Sequence, residues 1–114
     1  MTTESDNAKT DAAILNLGEV LSKIRSFRWD YALFIGGDFP FNYDSACAVL
    51  DPNDSDDPDT DPDYAIQHGL RYALSAQDAR GVVENAMAQK KDTDIKDLVK
   101  AFNHYYENDA FITF

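Results

Sequence analysis

The chain has 114 residues, with 21 acidic side chains against 10 basic ones and a formal net charge of −11. Hydrophobic residues make up 44% and fourteen positions are aromatic, which excludes a disordered acidic tail, whose composition is poor in both. A sequence pI near 4.3 disfavours direct binding to nucleic acid or to an anionic membrane surface and favours a basic protein partner.

The length suits one domain. No run approaches the ~18 apolar residues of a membrane span. Residues 1–10 are polar, without a basic segment leading into an apolar one, so they read as a disordered leader and not as a secretory signal. A single cysteine, Cys47, leaves no intrachain disulfide and suits a reducing compartment. Cytoplasm is therefore the expected location, and the glycosylation acceptor Asn53-Asp54-Ser55 then has no consequence.

From residue 11 the chain reads as one α+β domain. Ile14, Leu17, Val20, Leu21 and Ile24 recur at spacings of three and four, the stripe of an amphipathic helix, with Thr10 or Asp11 as its cap. Residues 29–35 alternate as a strand with Trp29, Tyr31, Leu33 and Ile35 on one face. Gly36-Gly37-Asp38 ends it, an aromatic loop follows with Phe39, Phe41 and Tyr43, and residues 45–50 form a second strand.

Residues 51–63, D-P-N-D-S-D-D-P-D-T-D-P-D, hold seven aspartates and three prolines in thirteen positions with no apolar side chain. Such a stretch cannot be core, because the prolines remove backbone donors and the like charges favour a solvated path. It supplies −7 of the net charge and leaves −4 to the remaining residues.

Beyond it, Asp61 and Pro62 open a short helix over 62–68 that Gly69 stops. Residues 70–74 read as a strand. Ser75 caps a helix whose stripe is Ala79, Val82, Val83, Ala86 and Met87, and Thr93 or Asp94 starts another through Ile95, Leu98, Val99, Phe102 and Tyr106. Asn108-Asp109 breaks that helix, and residues 110–114 suit a terminal strand. This order predicts a small, largely antiparallel sheet packed against three main helices.

Catalytic readings are weak at this level. Cys47 with His68 or His104 is a conceivable nucleophile pair, but nothing brings the three together or lowers a thiol pKa, and a packed core cysteine is favoured. His104 and Glu107 share a helix face without a third ligand. Taking Asp51 as position one of a calcium loop puts Asp56 where the turn glycine belongs and Pro62 where the closing glutamate belongs. Gly36-Gly37 lacks the rest of a phosphate loop. No metal, cofactor or catalytic residue is assigned.

Several stretches carry a resemblance: Leu50-Asp51-Pro52, Gly69-Leu70-Arg71-Tyr72-Ala73-Leu74, Val83-Glu84-Asn85, and residues 101–112, A-F-N-H-Y-Y-E-N-D-A-F-I. Together with the aspartate-rich loop they resemble a family of small acidic bacterial proteins associated with immunity proteins of contact-dependent growth inhibition systems. The resemblance implies a cytoplasmic protein that neutralises a cognate toxin domain by binding it. A basic toxin is favoured, with nucleases foremost because their active sites hold phosphates. The expected surface joins Asp51, Asp54, Asp56, Asp57, Asp59, Asp61 and Asp63 as a steering rim to Phe39, Phe41 and Tyr43 as a desolvated centre. The other reading of those aromatics is that they fold back onto the core. An acidic mimic of nucleic acid, inhibiting a DNA-binding or defence protein, is the alternative function. The oligomeric state has no signature in the sequence.

Overall fold

The computed structural model describes residues 13–54 and 60–114; residues 1–10 of the expected leader lie outside them. The elements in chain order are β1 (Leu15–Asn16), α1 (Leu17–Ser22), a 3₁₀ turn (Ile24–Ser26), β2 (Ala32–Ile35), β3 (Ala46–Leu50), α2 (Asp63–Gln67), β4 (Arg71–Ser75), α3 (Ala76–Gln89) and α4 (Ile95–Asn108). The four strands form one antiparallel sheet in the order β1-β3-β2-β4. With the helices packed on it, this is the expected α+β class.

Alternation along β2 and β3 divides the interior into two cores. Leu33, Ile35, Cys47 and Val49 face α1, α3 and α4, where they join Leu17, Val20, Leu21, Val82, Leu98 and Phe102. Ala32, Phe34, Ala48 and Leu50 face the other way, against Ala65, Leu70 and Tyr64. Both faces of β2 and β3 are thus covered, as their apolar runs require.

Strands β3 and β4 each pair antiparallel to β2, so they run in the same direction. The connection between them must therefore return from one end of the sheet to the other, and its described part, α2 with Leu70, packs on the second core. Gly69, at φ +69°, ends α2 in a left-handed conformation that a residue with a Cβ adopts at a cost.

Capping follows local chemistry. Ser75 Oγ accepts from Asp78 N at 3.0 Å to start α3. Asp94 and Asp97 form a reciprocal capping box on α4. Asp109, at φ 54°, closes that helix in the left-handed region.

Four expectations are corrected. The first helix does not begin at Ile14 with a Thr10 or Asp11 cap: Leu15 and Asn16 pair with Cys47 and Ala46 to satisfy the edge of β3, and Asn16 Oδ1 caps α1 through Glu19 N at 2.7 Å. β2 starts at Ala32, because residues 28–31 form a turn closed by Tyr31 N donating to Arg28 O. Met87 and Tyr106 lie on the exposed sides of their helices. Residues 110–114 form no strand; Gln89 holds them instead, its Nε2 donating to Ile112 O at 2.7 Å and its Oε1 accepting from Phe114 N at 3.1 Å. One side-chain amide supplies the donor and the acceptor that a neighbouring strand would offer.

Candidate partner-binding surface

The acidic crossover starts where β3 ends. Asp51 Oδ1 accepts from Asn53 N at 2.9 Å and Asp51 O from Asp54 N at 3.1 Å, so the chain turns on leaving the sheet. Asp54 and Asp63 are exposed and Asp51 and Asp61 half-buried, while Asp56, Asp57 and Asp59 lie outside the described residues. Among the described residues, no ion pair uses Asp51, Asp54, Asp61 or Asp63.

The aromatic loop emerges from the opposite end of the same hairpin. Ala32 pairs with Leu50 beside Asp51, whereas Ile35 pairs with Cys47 beside residues 36–45. The expected patch, with aromatics at its centre and the start of the aspartate stretch on its rim, is therefore not assembled.

Phe41 is not a surface anchor. It is 7% exposed, with ring centroids 5.8 Å from Phe39, 6.2 Å from Phe102 and 5.2 Å from Tyr106. Its backbone is clamped from both sides by Asn103, Oδ1 accepting from Phe41 N at 3.1 Å and Nδ2 donating to Phe41 O at 2.8 Å. Phe39 stacks on Tyr106 at 5.4 Å and 25°, leaving both rings partly open to solvent. Tyr43 lies across the backbone of α1 at Gly18, where a Cβ would fall 2.1 Å from the Tyr43 ring. Only a glycine admits that ring position.

The residues weighed for catalysis are kept apart. Cys47 is fully buried in the first core, and burial pushes its thiol pKa up to about 12. His68 belongs to the second side of the sheet, with Nδ1 2.8 Å from Tyr64 O and its ring on Tyr64. His104 sits on α4, where its carbonyl accepts from Asn108 Nδ2 at 3.0 Å. Among the described residues no three His, Cys, Asp or Glu side chains converge as metal ligands do.

One surface feature was missed by sequence reasoning. Arg28 and Asp30 staple the 28–31 turn with two parallel bonds of 3.0 Å, Nε to Oδ1 and Nη2 to Oδ2. The guanidinium also lies 5.4 Å from the centroid of the Tyr31 ring. Trp29 stands at the tip of this turn, 66% exposed. It borders a cleft of about 320 Å³ that Gln77, Arg80, Gly81 and Glu84 of α3 complete. Arg80 and Arg25 both grip Glu84 at 3.1 Å and hold its carboxyl below the usual carboxylate range, the Arg80 hydrogen bond contributing most. The alternation that placed Trp29 on a strand face hid the signal, which was Arg28 and Asp30 flanking it at turn spacing.

A family model described as a domain of unknown function, DUF7716, matches residues 14–114. No curated protein and no solved structure matches the chain.

Proposed function

The chain belongs to the DUF7716 family, and we propose that it is a cytoplasmic immunity protein, which binds a cognate basic toxin domain and neutralises it without chemistry of its own. The observation that carries this reading is the acidic crossover. Of its described aspartates Asp54 and Asp63 are exposed and Asp51 and Asp61 half-buried, and none of the four forms an ion pair among the described residues; the stretch joins β3 to α2 and β4. Concentrated negative charge outside ion pairs raises the encounter rate with a positive surface and selects against negative ones. The likeness of residues 50–52, 69–74, 83–85 and 101–112 to immunity proteins of contact-dependent growth inhibition points the same way. A nuclease is the favoured target, since a cleft built to hold phosphates offers the complementary field.

The test is co-purification with the protein encoded immediately upstream, at low and moderate salt. A stoichiometric complex that abolishes the partner's toxicity supports the proposal. Failure to form one at either salt concentration overturns it.

A further inference from the structure

We propose that the Phe39–Tyr106 stack, at the end of the sheet opposite the start of the acidic crossover, is the anchor of the interface and takes a lysine or arginine side chain of the basic partner. The inference rests on the function proposed above and names a second surface for it.

The rings are fixed before any partner arrives. Phe39 lies on Tyr106 with centroids 5.4 Å apart and meets Phe41 edge-on at 5.8 Å. Phe41 is buried, edge-on to Tyr106 as well, and its backbone is held at both N and O by Asn103 of α4. Loop and helix are thereby locked to one another, so little ordering entropy is left to lose on binding. Yet Phe39 keeps 39% and Tyr106 40% of its surface open to solvent.

The charges beside the stack are mainly of one sign. No lysine or arginine occurs between Arg28 and Arg71 or after Lys100, so the loop of residues 36–45 and the end of α4 carry only acidic charges besides the imidazole of His104. Asp38, Asp44 and Glu107 adjoin Phe39, Tyr43 and Tyr106 in the chain; all three are exposed, and none enters an ion pair among the described residues. α4 also has no basic residue in its last turn, which leaves the negative end of its dipole uncompensated. The cations on the adjoining elements are two. Lys23 of α1 is engaged by Glu19 at 3.3 Å, and Lys100 lies on α4, three residues before Asn103.

This setting selects the occupant. A long basic side chain covers the rings with its methylene stem, while its charged head meets the ring quadrupole and the carboxylates. A purely apolar side chain would cover the rings but gain nothing from Asp38 and Glu107, and an anion would be repelled by them. β3 is five residues long, about 17 Å at the rise of a strand. An interface of about 800 Å² a side is broader than that, so one partner can meet both the loop and the start of the crossover.

The test is the complex of the full chain with the upstream-encoded partner. Amide NMR is recorded on the unsubstituted, isotope-labelled chain, and dissociation constants are measured for wild type, Phe39→Leu, Tyr106→Leu and the double variant Asp38→Asn with Glu107→Gln. Leucine keeps an apolar side chain in place but removes the ring face. The proposal expects large shifts at residues 38–43 and 103–109 and a rise in Kd of at least about tenfold for each leucine variant. For the charge variant it expects a rise of at least about threefold with a flatter salt dependence. A tight complex in which residues 38–43 and 103–109 stay unmoved, or leucine variants within about threefold of wild type, overturn the anchor and leave the immunity function standing. Leucine losses with no change for the charge variant overturn the basic occupant. Absence of any complex overturns both readings. The NMR readout uses the native sequence, so it decides even if a variant misfolds.

Discussion

Replacing Phe41 and Phe39 separately with alanine distinguishes a core aromatic from a surface one within three residues of chain. Phe41→Ala removes a ring that touches Phe39, Phe102 and Tyr106 and is almost wholly buried. Core Phe→Ala changes cost about 3–5 kcal/mol, and the three ring contacts put this site near the middle of that range. Domains of this size are stable by about 5–15 kcal/mol, so a loss of about 4 kcal/mol should lower Tm by roughly 15–25 °C at a few degrees per kcal/mol. Phe39 is 39% exposed, stacked on Tyr106 and edge-on to Phe41. Its removal should cost about 1–2 kcal/mol, the order of two aromatic pairs on a partly exposed ring. Thermal melts and urea titrations followed by circular dichroism measure both, with comparable m-values as the check on two-state behaviour. Equal losses for the two variants, or a Phe41→Ala loss below about 1.5 kcal/mol, would refute the assignment of Phe41 to the core.

Changing Asp54, Asp56, Asp57 and Asp59 to asparagine should slow association with the partner and flatten its salt dependence while dissociation changes little; stopped-flow rates identical to wild type would remove the acidic stretch from the mechanism. Asp97 is held below the usual carboxylate range, first by the Lys90 hydrogen bond and then by the Asp94 backbone, and Glu84 by Arg80 and Arg25. Depressed carboxylates stabilise the fold above their unfolded pKa, so this contribution should fade as pH drops below about 4, and Asp97→Asn should flatten the acid limb of a melting series. Lys90 is raised, chiefly by its Asp97 hydrogen bond, so its share runs the other way and is lost as pH climbs beyond the ordinary lysine range. Deleting residues 111–114 should leave a soluble chain that melts cooperatively at a lower temperature, because Gln89 and the packing of Ile112 hold the tail where a ladder was expected; an aggregated product would show the tail to be integral.

Elements with strong local grammar were legible in the chain. Ser75 with Asp78, Asp94 with Asp97, and Gly69 announce boundaries through hydrogen bonds and backbone freedom that are satisfied within four residues. What was illegible depends on partners distant in sequence. Leu15–Asn16 is a strand because Ala46 and Cys47 need a neighbour, and the tail is not one because Gln89 reaches it first. Phe41 reads as loop until Asn103, 62 residues away, fixes its backbone against α4. For the candidate surface, composition put the charge in one stretch and the aromatics in one loop, while hairpin register, which composition does not carry, sends Phe39 and Asp51 to opposite ends. Trp29 was hidden by a pattern of alternation that continues into a true strand.

The sheet carries a separate apolar core on each face, and this bears on how such a protein can diverge. Among the described residues both faces of β2 and β3 are covered, and the 28–31 turn and the ends of the crossover attach to the frame at its rims through backbone geometry. Substitutions at those rims leave both cores untouched, and their cost in folding is small because exposed positions contribute little to stability. A lineage built on this frame can change its rims by rewriting a turn and a loop, with the interior inherited intact. Drift within either core is confined by the other, since every residue of β2 is buried against one side of the sheet or the other.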